Sequence, residues 1–153
     1  MPKTTIRARD IMHEQPAFCT LDTPLRDIAR RFAEEGITGL LVVDEDKRLY
    51  GIITESDLID QQRNLHLPTV LAVFDMVIPL GEARFEQELA RMQAMTAADL
   101  ARTDIKTVAP DATLGEVASL MGEHAIHHLP VLEQGQVVGM IDKHDVIKAL
   151  ATN

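Results

Sequence analysis

The sequence predicts an α/β fold made of a duplicated pair of small units. Three observations carry this: an internal repeat, a helix-strand-strand-helix pattern in each copy, and a composition suited to one shared core. A shift of about 89 positions places Asp10 on Asp99, Asp22 on Asp111, Leu25 on Leu114 and Ala29 on Ala118. The same shift carries Glu34 onto Glu123, Ile37 onto Ile126, Leu40 onto Leu129 and Val42 onto Val131. One residue is lost in the turn after Asp44. A shift of about 88 then places Gly51, Ile53, Asp57 and Ile59 on Gly139, Ile141, Asp145 and Ile147.

Each copy begins with a short extended lead-in. In the first, Thr23-Pro24 opens a helix, with the threonine hydroxyl as its cap and the proline at its first position. Leu25, Ile28, Ala29 and Phe32 form its apolar stripe, and Gly36 ends it. Leu40–Val43 and Leu49–Ile53 then read as strands joined by the polar turn Asp44–Arg48, and Thr54 starts a closing helix carrying Leu58 and Ile59. The second copy repeats the plan: a helix from Thr113 to Ala125, strands Leu129–Leu132 and Val137–Ile141 around a Glu133–Gln136 turn, and a helix from Asp142 onward. Between the copies, Phe85, Leu89 and Met92 sit at helical spacing in Glu82–Ala94, a connector helix. The expected organisation is unit 1 over 1–65, connector over 66–95 and unit 2 over 96–153.

The chain has 153 residues, enough for one compact domain or two small halves sharing a core. Its hydrophobic fraction is 46% with only 3% aromatics, so Leu, Ile, Val, Ala and Met build the interior and few rings remain for stacking bases. A net charge of -9 excludes a nucleic-acid backbone as partner, because phosphate binding depends on clustered Lys and Arg. A small anionic ligand needs only two or three local cations, and this is not excluded. The single cysteine, Cys19, rules out an intrachain disulfide and fits a reducing compartment. The opening residues have no apolar signal core, and the longest apolar run, Leu67–Gly81, is broken by Asp75 and Pro79. The expectation is a cytoplasmic protein with no membrane insertion.

The ordered motifs Gly51-Ile52-Ile53-Thr54-Glu55-Ser56-Asp57, His128-Leu129-Pro130-Val131 and Gly139-Met140-Ile141-Asp142-Lys143-His144-Asp145, with the opening Ala8-Arg9-Asp10-Ile11-Met12, resemble the tandem CBS-domain family, or Bateman module. The resemblance spans nearly the whole chain. It implies two βαββα units packed pseudo-symmetrically through their sheets. Two clefts between them bind adenosine-containing ligands in many members, and homodimers are frequent.

The resemblance makes Thr54 and Asp57 the ribose and phosphate contacts. The chemistry agrees, since a carboxylate accepts from both ribose hydroxyls while a hydroxyl and free N–H groups at a helix start face a phosphate. A threonine followed three residues later by an acid is also a capping box, and the two roles can coexist. In the second copy Asp142 replaces the hydroxyl, leaving Asp142 and Asp145 as the pair, which repels a phosphate. Three readings stay open there: an empty site, a nucleoside-like ligand, or a site whose charge is offset by Lys143, His127 and His128. His127 and His128 stand where the family often carries a phosphate-contacting basic residue. With His124 and His144 they also admit a metal reading or a solvated loop, and no metal site is expected. The first copy has Gly39 in place of His128, with Arg7, Arg9, Lys47 and Arg48 as substitute cations. By resemblance, the backbone at Phe18–Thr20 and at Thr107–Ala109 around Val108 reads the adenine edge, Ile53 and Ile141 flank the ring, and Gly51 and Pro130 complete the lining.

No nucleophile elbow, phosphate-binding glycine loop or zinc-protease helix occurs, so the chain reads as a non-enzyme. The leading expectation is a regulatory module with AMP, ADP, ATP or S-adenosylmethionine as regulatory ligand and an effector protein as partner. The alternative is a ligand-free dimerisation or protein-interaction module, motivated by the apolar connector.

Overall fold

The computed structural model describes residues 5–63 and 94–152. All but the last residue of the expected connector helix lies outside them, as does the apolar run 67–81. In chain order the elements are α1 (Ala8–Ile11), β1 (Phe18–Thr20), α2 (Leu25–Glu35), β2 (Gly39–Val43), β3 (Leu49–Thr54), α3 (Glu55–Arg63), α4 (Ala97–Leu100), α5 (Leu114–His124), β4 (His128–Glu133), β5 (Gln136–Asp142) and α6 (Lys143–Thr152).

Two compact units emerge, and they exchange the lead-ins of the two sequence copies. The described residues within Met1–Ala17, Asp44–Leu49 and Asp104–Asn153 form one, and those within Phe18–Val43 and Tyr50–Thr103 form the other. Thus α1, which begins the first copy, packs with β5 and α6 of the second. Likewise α4, which begins the second copy, packs with α3 of the first.

The first copy's sheet has the order β1-β2-β3, and β1 runs parallel to β2 with Cys19 opposite Val42. β2 is buried along its whole length, as its unbroken Gly-Leu-Leu-Val-Val run requires. In the second copy β4 and β5 are antiparallel, and Val108 bridges Val131 in parallel, the same register as Cys19 and Val42 in the first. The matched apolar positions of the repeat are the core. Ile28, Leu40, Val42 and Ile53, and their counterparts Val117, Leu129, Val131 and Ile141, are all fully buried. Each such side chain contributes roughly 1.5–3 kcal/mol by leaving water.

Both long helices that follow the lead-ins stop in a left-handed residue at one repeat position, Gly36 (φ 66°) in the first copy and Ala125 (φ 52°) in the second. Their starts differ. Thr113 caps α5 by accepting from the Glu116 N–H at 3.2 Å, while Glu116 reaches back to the Thr113 N–H. Thr23 does not cap α2, as its sequence context suggests. Its hydroxyl accepts the Thr20 N–H at 3.2 Å, and Pro24 takes the cap position. The threonine is spent on the turn that joins β1 to the helix.

Candidate functional site

The first candidate site forms where β3 hands over to α3. Asp57, the third residue of the helix, is 7% exposed and is the buried charged residue among those described. Its Oδ2 accepts the Thr54 backbone N–H at 2.8 Å and the Thr54 hydroxyl at 3.0 Å. Its Oδ1 accepts from Arg102 Nε at 2.6 Å. Of the capping box only the acid's half is formed: Asp57 holds the Thr54 N–H, while the Thr54 hydroxyl donates to the carboxylate. An ionised carboxylate offers about four acceptor sites, so these three bonds leave about one open.

Arg102 reaches Asp57 because the chain after α4 lies along β3. The Ile52 N–H donates to the Arg102 carbonyl at 3.0 Å, and the Arg102 N–H donates to the Ile52 carbonyl at 2.9 Å. Gly51 makes this approach feasible, since a Cβ there would stand 2.6 Å from the Arg102 carbonyl oxygen. Ile53, on the other side of Ile52, points into the core and is fully buried.

The second site repeats this plan with different chemistry. Asp142 and Asp145 cap each other's backbone: the Asp142 N–H donates to Asp145 Oδ2 and the Asp145 N–H to Asp142 Oδ1, both at 2.9 Å. The second residue after α1 takes the place of Arg102, the second residue after α4. His13 pairs with Met140 through N–H to carbonyl bonds of 2.8 and 3.1 Å, and its Nε2 lies 3.0 Å from Asp145 Oδ2 and 3.8 Å from Asp142 Oδ2. Gly139 again admits the passing chain, because its Cβ would meet Met12 and the His13 carbonyl.

The two carboxyls are pushed apart in acidity. Burial raises Asp145, reinforced by the Asp142 charge, and its bond from the Asp142 N–H does not offset this. Burial also raises Asp142, but the hydrogen bonds with Asp145 and the His13 charge outweigh it and hold its carboxyl below the usual range.

Around this turn, His128 opens β4 opposite Asp142, and Ile141 and Pro130 are fully buried. The Lys143 N–H donates to the His127 carbonyl at 3.0 Å, with both side chains exposed. The Val108 N–H and carbonyl are both used in pairing, with Pro130 and Leu132. On the first copy, the Phe18 carbonyl accepts from Arg31 at 2.6 Å and the Thr20 N–H is held by Thr23.

Sequence reasoning missed His13 and Arg102, the cations that meet the carboxylates. Of the substitutes it named for the first copy, Arg7 instead donates to the Asp111 carbonyl at 2.5 Å. Among the described residues, the one gathering of potential metal ligands is His13 with Asp142 and Asp145, and not the histidines 124, 127, 128 and 144. The signal was present in the repeat: the same shift that matches Asp10 to Asp99 matches His13 to Arg102.

Comparison with known proteins decides the family, because the CBS domain model matches twice, over residues 8–64 and 97–152. The chain belongs to the CBS-domain family, as a tandem pair. This CBS pair is 31% identical over 153 residues to the uncharacterized protein MJ1426 of Methanocaldococcus jannaschii, covering 93% of this chain and 89% of that protein. Its fold matches CBSX2 solved in complex with AMP, with a TM-score of 0.73 and 19% identity over 95% of this chain and 96% of that one. It also matches the CBS pair of protein MJ0100, solved with 5-methylthioadenosine and S-adenosyl-L-methionine. That TM-score is 0.70, with 20% identity over 97% and 98% of the two chains. Among the described residues, no helix is long and apolar enough to cross a membrane.

Proposed function

We propose that this CBS pair is a regulatory module that binds adenosine-containing nucleotides, among AMP, ADP, ATP and S-adenosylmethionine, and signals through a conformational or oligomeric change. The observation that carries this reading is the grouping at one helix start of a buried carboxylate, a hydroxyl and a guanidinium: Asp57, Thr54 and Arg102. Ribose needs two acceptor positions, and Asp57 has about one to spare. Nucleotide entry therefore moves Arg102 off Asp57 and onto the phosphate, freeing the carboxylate for the 2′- and 3′-hydroxyls. Arg102 stands two residues after α4, so that movement is passed to the lead-in. Ligand binding shifts such an equilibrium only through different affinities for its two states, and the Arg102 exchange supplies the difference.

In this reading Phe18, Thr20 and Val108 lie on the adenine side, with Gly51, Ile53, Pro130 and Ile141 as apolar framework. Asp142 and Asp145, with Lys143, His127 and His128, form the second and chemically unequal site. The role is regulatory and not catalytic, and an effector protein reads the change. Calorimetric titration with the four ligands tests it: binding that is lost in Asp57→Ala and kept in Asp145→Ala assigns the first site. No heat from any of them at millimolar concentration overturns the reading.

A second reading, a dimerisation module, is favoured by Ile59, Ile147 and Leu150, which are 58%, 56% and 57% exposed on α3 and α6. A dimer whose mass and stability do not respond to nucleotide would favour it.

A further inference from the structure

We propose that His13, Asp142 and Asp145 form a binding site for a divalent transition-metal ion. Each residue presents one ligand atom, and the three atoms lie within 4.8 Å of one another. His13 Nε2 is 3.0 Å from one carboxylate oxygen and 3.8 Å from the other. Ligands about 2.0–2.2 Å from a tetrahedral ion stand about 3.3 Å apart, so small side-chain adjustments seat one ion among them.

The ligands are held before any ion arrives. The His13 backbone is fixed by its two bonds to Met140, which aims the imidazole at the acids, and each carboxylate is fixed by the N–H of the other's residue. Those N–H bonds use one lone-pair site on each carboxylate and leave the others for a cation. The pairing also brings two carboxyls together at one helix start, where their mutual repulsion is relieved by a dication. One nitrogen and two oxygens suit zinc, cobalt, nickel or manganese better than calcium or magnesium, which favour all-oxygen shells.

Comparison of the two copies sharpens the assignment. The first has Arg102 and Thr54 at the positions of His13 and Asp142, and a guanidinium has no lone pair for a metal. Both differences convert a nucleotide-type turn into a ligand set. The inference does not depend on nucleotide binding, since it concerns metal taken up by the chain alone.

The test uses the full chain, free of any affinity tag, titrated with Zn²⁺ and separately with Co²⁺ against a chromophoric chelator. One ion per chain is expected, with affinity falling at least about tenfold in His13→Ala and in Asp145→Asn, and unchanged in His124→Ala, an exposed histidine outside the cluster. Affinity that survives His13→Ala, or that disappears in His124→Ala, overturns the assignment, as does no binding at all. Nitrogen-resolved NMR of the unsubstituted chain guards against variants that fail to fold. The His13 Nε2 resonance moves on adding Zn²⁺ if the site is real, and an unmoved resonance refutes it. Metal binding without nucleotide binding leaves this inference standing while the proposed function fails, and the reverse result separates them equally.

Discussion

Arg102 Nε stands 2.6 Å from Asp57 Oδ1, across 45 residues of sequence. His13 and Asp145 repeat the relationship in the other compact unit, at 3.0 Å. In both, the residue just past a lead-in helix meets the acid that caps the closing helix. The lead-in of one copy thus completes the candidate site of the other.

Removing Arg102 leaves a buried carboxylate oxygen without its charged donor. Arg102→Ala is expected to destabilise the chain by about 1–2 kcal/mol, the lower part of the range for hydrogen bonds to charged groups because the arginine itself is largely exposed. Urea unfolding measures it. A loss under a few tenths of a kcal/mol would mean that the ion pair is not formed in solution.

Gly51 and Gly139 occupy one repeat position and admit the lead-in backbone. Alanine at 51 meets the Arg102 carbonyl at 2.6 Å, which is backbone and already hydrogen-bonded, whereas alanine at 139 first meets the flexible Met12 side chain. Gly51→Ala is expected to cost about 2–3 kcal/mol and Gly139→Ala less, within the range for overpacking. Paired thermal melts check the order, and a larger loss at 139 contradicts the argument.

Ala125 adopts the left-handed conformation that Gly36 adopts at the matching helix end. An alanine pays for that conformation and a glycine does not. Ala125→Gly is therefore expected to stabilise by up to about 1 kcal/mol, and Gly36→Ala to destabilise by about 1 kcal/mol. Chemical denaturation of the two variants reads both signs.

Cys19 is buried in β1, and burial pushes its thiol up, against smaller opposing effects from a Thr23 hydrogen bond and the Arg31 charge. A raised folded value favours the folded state at low pH. This contribution is complete below the ordinary thiol range and is lost as pH rises from there through the raised folded value, because the unfolded thiol ionises first. Stability is expected to decline through that window, and the decline to vanish in Cys19→Ala. Ellman's reagent at pH 8 should react far more slowly with the folded chain than with the chain in denaturant.

Much of the fold was legible in sequence because the repeat reports it twice. Ile28, Leu40, Val42 and Ile53 recur as Val117, Leu129, Val131 and Ile141, and apolar residues held in register across a duplication are those that both copies must bury. The turns at Thr54–Asp57 and Asp142–Asp145 were legible for the same reason, as capping motifs following a Gly-apolar-apolar run. Thr23 misled because a hydroxyl before a proline satisfies a turn as readily as a helix end, and only the position of Thr20 decides between them.

By itself, then, the sequence determined the duplication, the order of helices and strands, the matched core positions and the acids at each turn, although of the expected stripe Leu25, Ile28, Ala29 and Phe32 only Ile28 is fully buried and Ala29 is exposed. These follow from periodicity and local hydrogen bonding, which act over a few residues. Only the tertiary structure decided that the lead-ins are exchanged and that Arg102 and His13 are the cations facing those acids. Those pairings join residues far apart in the chain, and they depend on a backbone that can approach only where Gly51 and Gly139 present no side chain.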